Sequence, residues 1–221
     1  LVIRFFKETN RHLTQGALDL GQMLKGGARN IRRAWNMKST RSLFVVSFFF
    51  MLGFSFFTQF FQVYLINRFG FTERNIGNYF AYAGVLIALV QGFIVPLVAR
   101  KKSSVWVLGR MPFLLGLSFI LLASVNEEWF LVYSAPFVAL AYGLSHPNLM
   151  SLISSRTRPE EQGEILGINQ SVFSLAQMIP PLISAYILTI ADTLPIVVAG
   201  IVVLISWVIF LWSKKALNKG F

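Results

Sequence analysis

Along this chain, six runs free of Asp, Glu, Lys and Arg alternate with short charged connections: residues 43–67, 75–99, 111–126, 129–155, 165–191 and 193–213. Most exceed the ~20 residues that an α-helix needs to cross ~30 Å of hydrocarbon. The third falls short, and reaches spanning length only when begun near Val105, which takes in Arg110. That side chain is long enough to snorkel toward lipid head groups from near a helix end. The pattern therefore predicts an all-α membrane protein with six transmembrane helices, at about 43–67, 75–99, 105–126, 129–155, 165–191 and 193–213, followed by a tail at 214–221. The first three helices and the last three form near-equal blocks. Because three crossings reverse direction, the second block is predicted to be an inverted copy of the first, although no residue-level repeat supports this.

Composition agrees with that pattern. Of 221 residues 55% are apolar, 22 are Phe and only 13% are charged, and the mean hydropathy is +0.63. That is more apolar surface than a soluble domain of this size can bury. The absence of cysteine excludes disulfides, thiolate metal sites and cysteine nucleophiles. The net charge of +11 invites a nucleic-acid reading, but the positions of the positive charges answer it. Eighteen of the twenty Lys and Arg fall in residues 1–42, in the second connection with Arg110, in 156–164 or at the C-terminus, and the other connections hold only Arg68 and Arg74. By the positive-inside rule the first set is cytoplasmic, and an even number of helices puts both termini on that side. No nucleic-acid partner is needed to explain the charge; the expected partner is the lipid bilayer.

Residues 1–42 form a separate region. Leu13, Ala17, Leu20, Leu24, Ala28, Ile31 and Trp35 recur every three or four residues, while Lys25, Arg29, Arg32 and Arg33 gather on another face. This suits a basic amphipathic segment lying on the cytoplasmic interface, and a solvated linker fits equally well because Gly26-Gly27 interrupts the pattern. The opening "LVIRFFKETN" reads as the end of an earlier membrane helix rather than as a signal peptide.

Polar residues inside the spans are the candidates for function, since each is costly in lipid. The first helix carries Ser55, Thr58, Gln59 and Gln62 at one-face spacing; the fourth carries Tyr142, His146 and Asn148; the fifth carries Gln170, Ser174 and Gln177, followed by Pro180-Pro181. Such amides and hydroxyls either line a water-filled cavity for a moderately polar substrate or hydrogen-bond the bundle together. On the second helix Gly77, Ala81, Gly84, Ala88 and Gln91 make a small-residue stripe, suited to an interface or to ordinary packing within the bundle, with Gln91 near the cavity. The spans hold no Asp, Glu or Lys, so a carboxylate pair or a Ser–Lys dyad has no parts, and no enzyme activity, metal or cofactor is expected. His146 has no acidic partner in the membrane and no second histidine for metal; it reads as a packing residue before a proton carrier.

The connection "RTRPEEQGEILG", residues 156–167, holds five charged side chains between two uncharged runs. Thr157 and Glu160 have capping-box spacing, and Glu160, Glu161 and Glu164 suit a helix N-terminus. Gly163 and Gly167, four apart, permit a close neighbour. With the segment that follows, "RPEEQGEILGINQSVFSLAQMIPPLISAYI", the chain resembles the tenth-to-eleventh helix hairpin of the major facilitator superfamily, in its drug:proton antiporter and tetracycline-resistance branch. In "GFIVPLVARKK", Gly92, Arg100 and Lys101 resemble that family's cytoplasmic loop motif, with Pro96 at the usual Asp and Ala99 at the usual second Gly; "KETN" at residues 7–10 resembles the Glu-Thr that follows the sixth helix.

The resemblance implies half of a major-facilitator fold, helices seven to twelve preceded by the central cytoplasmic loop at 1–42, with a missing N-terminal six-helix half as partner. It implies secondary active transport of a small molecule by alternating access, with proton-coupled efflux as one form, in a bacterial inner membrane. A six-helix module acting alone, as a channel subunit or scaffold, is the alternative. Cavity candidates are Gln59, Gln62, Gln91, Tyr142, His146, Gln170 and Gln177; cytoplasmic gate candidates are Gly92, Arg100, Lys101, Arg156, Arg158, Gly163, Glu164 and Gly167. Orientation is testable directly, because the chain has no background thiol. A cysteine at Glu127 should react with an impermeant maleimide only from the outside, and one at Thr157 only from the cytoplasm.

Overall fold

The computed structural model describes residues 40–188 and 191–217; most of the basic amphipathic segment expected at 1–42, and residues 218–221 of the expected tail, lie outside them. The described residues are helical, with no strand among them. We number the helices α1 (Arg41–Phe69), α2 (Glu73–Ala99), α3 (Ser104–Ala123), α4 (Glu128–Ser155), α5 (Gln162–Leu188) and α6 (Leu194–Leu217). Among them, α1, α2, α3 and the Leu194–Lys214 part of α6 are long and apolar enough to cross a membrane. Helices α4 and α5, of 28 and 27 residues, are long enough but carry His146, Asn148, Gln170, Gln177 and two prolines each, which lowers their apolarity.

Local sequence sets the ends. Gly70 takes the left-handed conformation at φ 65° and closes α1, its N–H reaching the Ile66 carbonyl while the N–H of Phe71 reaches that of Leu65. The Thr72 hydroxyl caps α2 by accepting from the Asn75 N–H, and the Ser103 hydroxyl caps α3 by accepting from Trp106 N–H. Thr157 does not act as the expected capping residue. Its hydroxyl donates back to the Ile153 carbonyl at 3.1 Å, at the frayed end of α4. Pro159 opens a 3-10 turn, Pro159–Glu161, that moves the start of α5 to Gln162. Glu164 lies in the first turn of α5.

Helix α1 is the centre of the bundle. In its most apolar stretch 61% of residues are buried, against 6% in α2. It packs along α6 and against α5, while α3 packs between α6 and α4, and α2 rests on α4. Two close approaches fix α6. A Cβ on Gly53 would sit 2.7 Å from the Ala199 carbonyl oxygen, and Gly116 and Gly200 face each other so tightly that a Cβ on either would lie within 2.9 Å of the other's carbonyl oxygen. Glycine is required at these crossings because only a bare Cα lets the two backbones come so near. The Ser206 hydroxyl adds a 2.9 Å bond from α6 to the Val46 carbonyl of α1. Large apolar side chains cover the outside, among them Phe93, Tyr133, Leu182 and Trp212, each more than half exposed; a surface of this kind needs lipid.

The glycines of the α2 stripe meet no helix closely among the described residues, although Gly84 edges a cavity between α1, α2 and α4. Gly77 and Gly84 have nothing within 4 Å of an added Cβ, and the same is true of Gly92, Gly163 and Gly167. Close packing within the bundle falls instead to Gly53, Gly116, Gly143 and Gly200. We expect Gly116→Leu to destabilise the purified chain by about 2 kcal/mol or more in detergent unfolding, since overpacking a tight crossing forces helices apart. Gly77→Leu, facing open space, should leave the unfolding midpoint of the chain by itself unchanged.

Candidate functional site

An aromatic column runs through the middle of the bundle. On α1, Phe50, Phe54, Phe57 and Phe61 follow one another at helical spacing. Phe54 stacks on Tyr142 of α4 with ring centres 3.8 Å apart, Tyr142 lies 5.7 Å from the His146 ring, and His146 lies 5.6 Å from Phe173 of α5. Phe57 stacks on Phe119 of α3 at 4.2 Å. Offset and tilted rings at these separations attract beyond their burial. Beside the column is a cavity of about 230 Å³ between α1, α2 and α4, whose wall includes Thr58, Tyr79, Gly84 and Tyr142. Its surface is almost wholly apolar, with hydroxyls at the edge.

The second element is a set of helices with proline inside them. Proline has no N–H, so each internal proline leaves the carbonyl four residues earlier without its helical partner, a costly state in lipid. Pro181 does this to the Gln177 carbonyl, and the Gln59 amide of α1 donates to that oxygen at 3.2 Å while also donating to the Ser55 hydroxyl at 2.8 Å. Pro136 does it to the Val132 carbonyl, and the Tyr82 hydroxyl of α2 donates there at 3.3 Å. In α3 the helix breaks at Gly109-Arg110 ahead of Pro112, and the Trp207 indole N–H of α6 donates to the Gly109 carbonyl at 2.9 Å. In α2, Pro96 follows a wide π-helical turn, Val90–Ile94, that contains Gln91 and Gly92 and packs on Gly143 of α4.

Gln59 and Gln177 are thus brought together, and Tyr142 and His146 share the aromatic column. Gln62, Gln91 and Gln170 are exposed, and their side chains have no hydrogen-bond partner among the described residues. Gln170, Ser174 and Gln177 lie along one exposed strip of α5 that continues through Gly167 and Gly163, so that strip is polar and small; apart from the Gln177 carbonyl, which Gln59 reaches, none of its five residues bonds another helix among the described residues. Asn148, buried, bonds its own helix at the Leu144 carbonyl at 2.8 Å.

At one end of the bundle, the α2–α3 and α4–α5 turns hold Arg100, Lys101, Arg156 and Arg158, with Arg156 half-buried. At the other end the Tyr64 hydroxyl, fully buried, donates to the Leu122 and Val125 carbonyls, Arg68 bonds Asn126, and the Asn67 amide bonds Asp192 at 3.0 Å. Hydrogen bonds tie that second end together; the first carries the basic turns.

The profile of the Major Facilitator Superfamily matches residues 7–181 and 43–221 of this chain. The chain belongs to that superfamily. It is similar to the class B tetracycline resistance protein of Escherichia coli, 29% identical over 126 residues that cover 55% of this chain and 30% of that protein. Its fold is similar to the crystal structure of the human organic anion transporter MFSD10 (TETRAN), with a TM-score of 0.70 and 23% identity over 78% of this chain and 40% of that one. The chain spans well under half the length of either. As a major-facilitator protein it is an integral, multi-pass membrane protein of a family of transporters rather than enzymes.

The sequence reading of this superfamily member passed over Phe54, Phe57, Phe173 and Tyr82. The repeat of Phe50, Phe54, Phe57 and Phe61 was a usable signal, and Pro136 announced an unpaired carbonyl, but only the packing names Tyr82 as its partner. Gln59→Leu should lower the unfolding free energy by about 1–2 kcal/mol, because it strands the Gln177 carbonyl. In a Pro181→Ala background, where a helical N–H returns to that carbonyl, the same change should cost clearly less, as a double-mutant cycle in detergent will report.

Proposed function

We propose that this chain acts as the C-terminal half of a secondary transporter, whose six helices cross the membrane as two inverted three-helix repeats and rock against an N-terminal half by alternating access. The observation that carries the proposal is the exposed strip of α5, Gly163, Gly167, Gln170, Ser174 and Gln177, together with the small-residue face of α2. Polar amides and bare glycines at membrane depth need a partner other than lipid. A second helical half supplies that partner and encloses Gln59, Gln62, Gln91, Tyr142 and His146 in a shared cavity for a small molecule.

The basic end with Arg100, Lys101, Arg156 and Arg158 is the cytoplasmic one by the positive-inside rule, in a bacterial inner membrane. There Gly92, Arg100, Lys101, Arg156, Arg158 and Glu164 form the gate, where contacts made in one state are lost in the other. The likeness to a tetracycline resistance protein supports export of the substrate, with proton exchange as in the antiporter branch that the α4–α5 hairpin resembles. The spans of this chain contain no carboxylate, so a proton-carrying acid comes from the other half.

The test is reconstitution. The purified 221-residue chain in liposomes should move no substrate, and co-expression with an N-terminal half encoded upstream should restore flux. Within the assembled pair, Gly163→Leu should reduce flux more than Arg100→Ala does, with membrane expression unchanged, because bulk blocks a helix approach whereas one exposed charge is worth only about 0–1 kcal/mol. Robust flux from the isolated chain would favour a six-helix module acting alone.

A further inference from the structure

At the basic end, the start of α3 gathers charge around one indole. Lys102 Nζ lies 5.1 Å from the centre of the Trp106 ring and the Arg110 guanidinium carbon 4.2 Å from it. Arg110 also donates to the Trp106 carbonyl at 3.4 Å. The two cations therefore sit within roughly 10 Å of each other, about one Debye length at 0.1 M salt, and repel. Arg100 and Lys101 add two more charges in the same turn. None of the four has an ion-pair partner among the described residues.

Its depth matters as much as its charge. Arg110 stands at the break in α3, six residues after Ser104, so its Cα lies about 9 Å inside the helix start at 1.5 Å per residue. Its side chain runs back one turn toward that start, to the ring of half-buried Trp106, which is how a long cationic side chain snorkels. Below it Val107 and Leu108 are fully buried in the bundle. The result is a notch of two cations and an indole at the level where a span meets the head groups, with the broken helix holding Arg110 out of the core. A cation at this depth favours a counter-anion that occupies the same layer.

We propose that Lys102, Trp106 and Arg110 form a binding site for an anionic phospholipid. The lipid phosphate lies between the ammonium and the guanidinium, and the indole packs on the glycerol and upper acyl chain. Guanidinium and ammonium groups suit a phosphate as donors, and an indole is at home at the interface. The occupant is a lipid rather than a soluble phosphate because the site is bounded by the exposed apolar face of α3 that carries Phe113 and Leu117. This site is separate from the proposed transport cavity and does not depend on it.

The experiment uses the purified full chain in mixed micelles of phosphatidylglycerol and phosphatidylcholine, with retained lipid counted by native mass spectrometry. Wild type should retain phosphatidylglycerol over phosphatidylcholine by about thirtyfold, the scale expected for two basic residues near a membrane surface. Lys102→Gln with Arg110→Gln should remove most of that preference, whereas the charge-conserving pair Lys102→Arg with Arg110→Lys should keep it, which separates lipid binding from folding. Equal retention of the two lipids by wild type would overturn the proposal, as would a preference that survives the double Gln change. Displacement of phosphatidylglycerol by millimolar glycerol phosphate would also overturn it, by showing that a free phosphate satisfies the site.

Discussion

A backbone carbonyl that loses its helical N–H has water to turn to in a soluble protein and nothing to turn to in lipid. This chain places prolines inside α2, α3, α4 and α5, and much of its tertiary structure answers the vacancies they create. Gln59 reaches from α1 to the Gln177 carbonyl, Tyr82 from α2 to Val132, and Trp207 from α6 to Gly109 beside a break. Each bond joins two helices at the point where one is weakest. The polar side chains at these places hold the bundle together where a helical bond is missing.

Glycine has two opposed uses here. Gly53, Gly116 and Gly200 let α6 press on α1 and α3 so closely that no Cβ fits without a shift. Gly77, Gly163 and Gly167 face open space on α2 and α5. Both sets look alike as letters. The difference is whether a partner helix lies close opposite, and among the described residues the second set has none.

Charge and aromatic residues divide the bundle along its axis. Tyr64, Arg68 and Asn67 close one end through bonds to α3, its following loop and Asp192. The other end carries exposed Arg100, Lys101 and Lys102 and relies on short turns. Between them the Phe54–Tyr142–His146–Phe173 column links α1, α4 and α5 by ring contacts alone. Ring stacking has weak directional demands, so a column of this kind accommodates sliding better than a chain of hydrogen bonds does.

Sequence by itself determined the all-helical class, the membrane as solvent and the superfamily, because each follows from local facts: uncharged runs of spanning length, and a charged hairpin with its glycines. It also named Gln59, Gln177, Tyr142 and His146, since a polar residue in an apolar run stands out without any structure. It could not say which helix each one meets. That Gln59 answers Pro181, that Tyr82 answers Pro136, and that Thr157 bonds backward to Ile153 instead of capping forward were decided by tertiary packing and by the turn at Pro159. A hydrogen bond between residues 118 positions apart depends on how α1 and α5 are laid side by side. Helix periodicity fixes which face a residue occupies, but only the packed bundle fixes what that face touches.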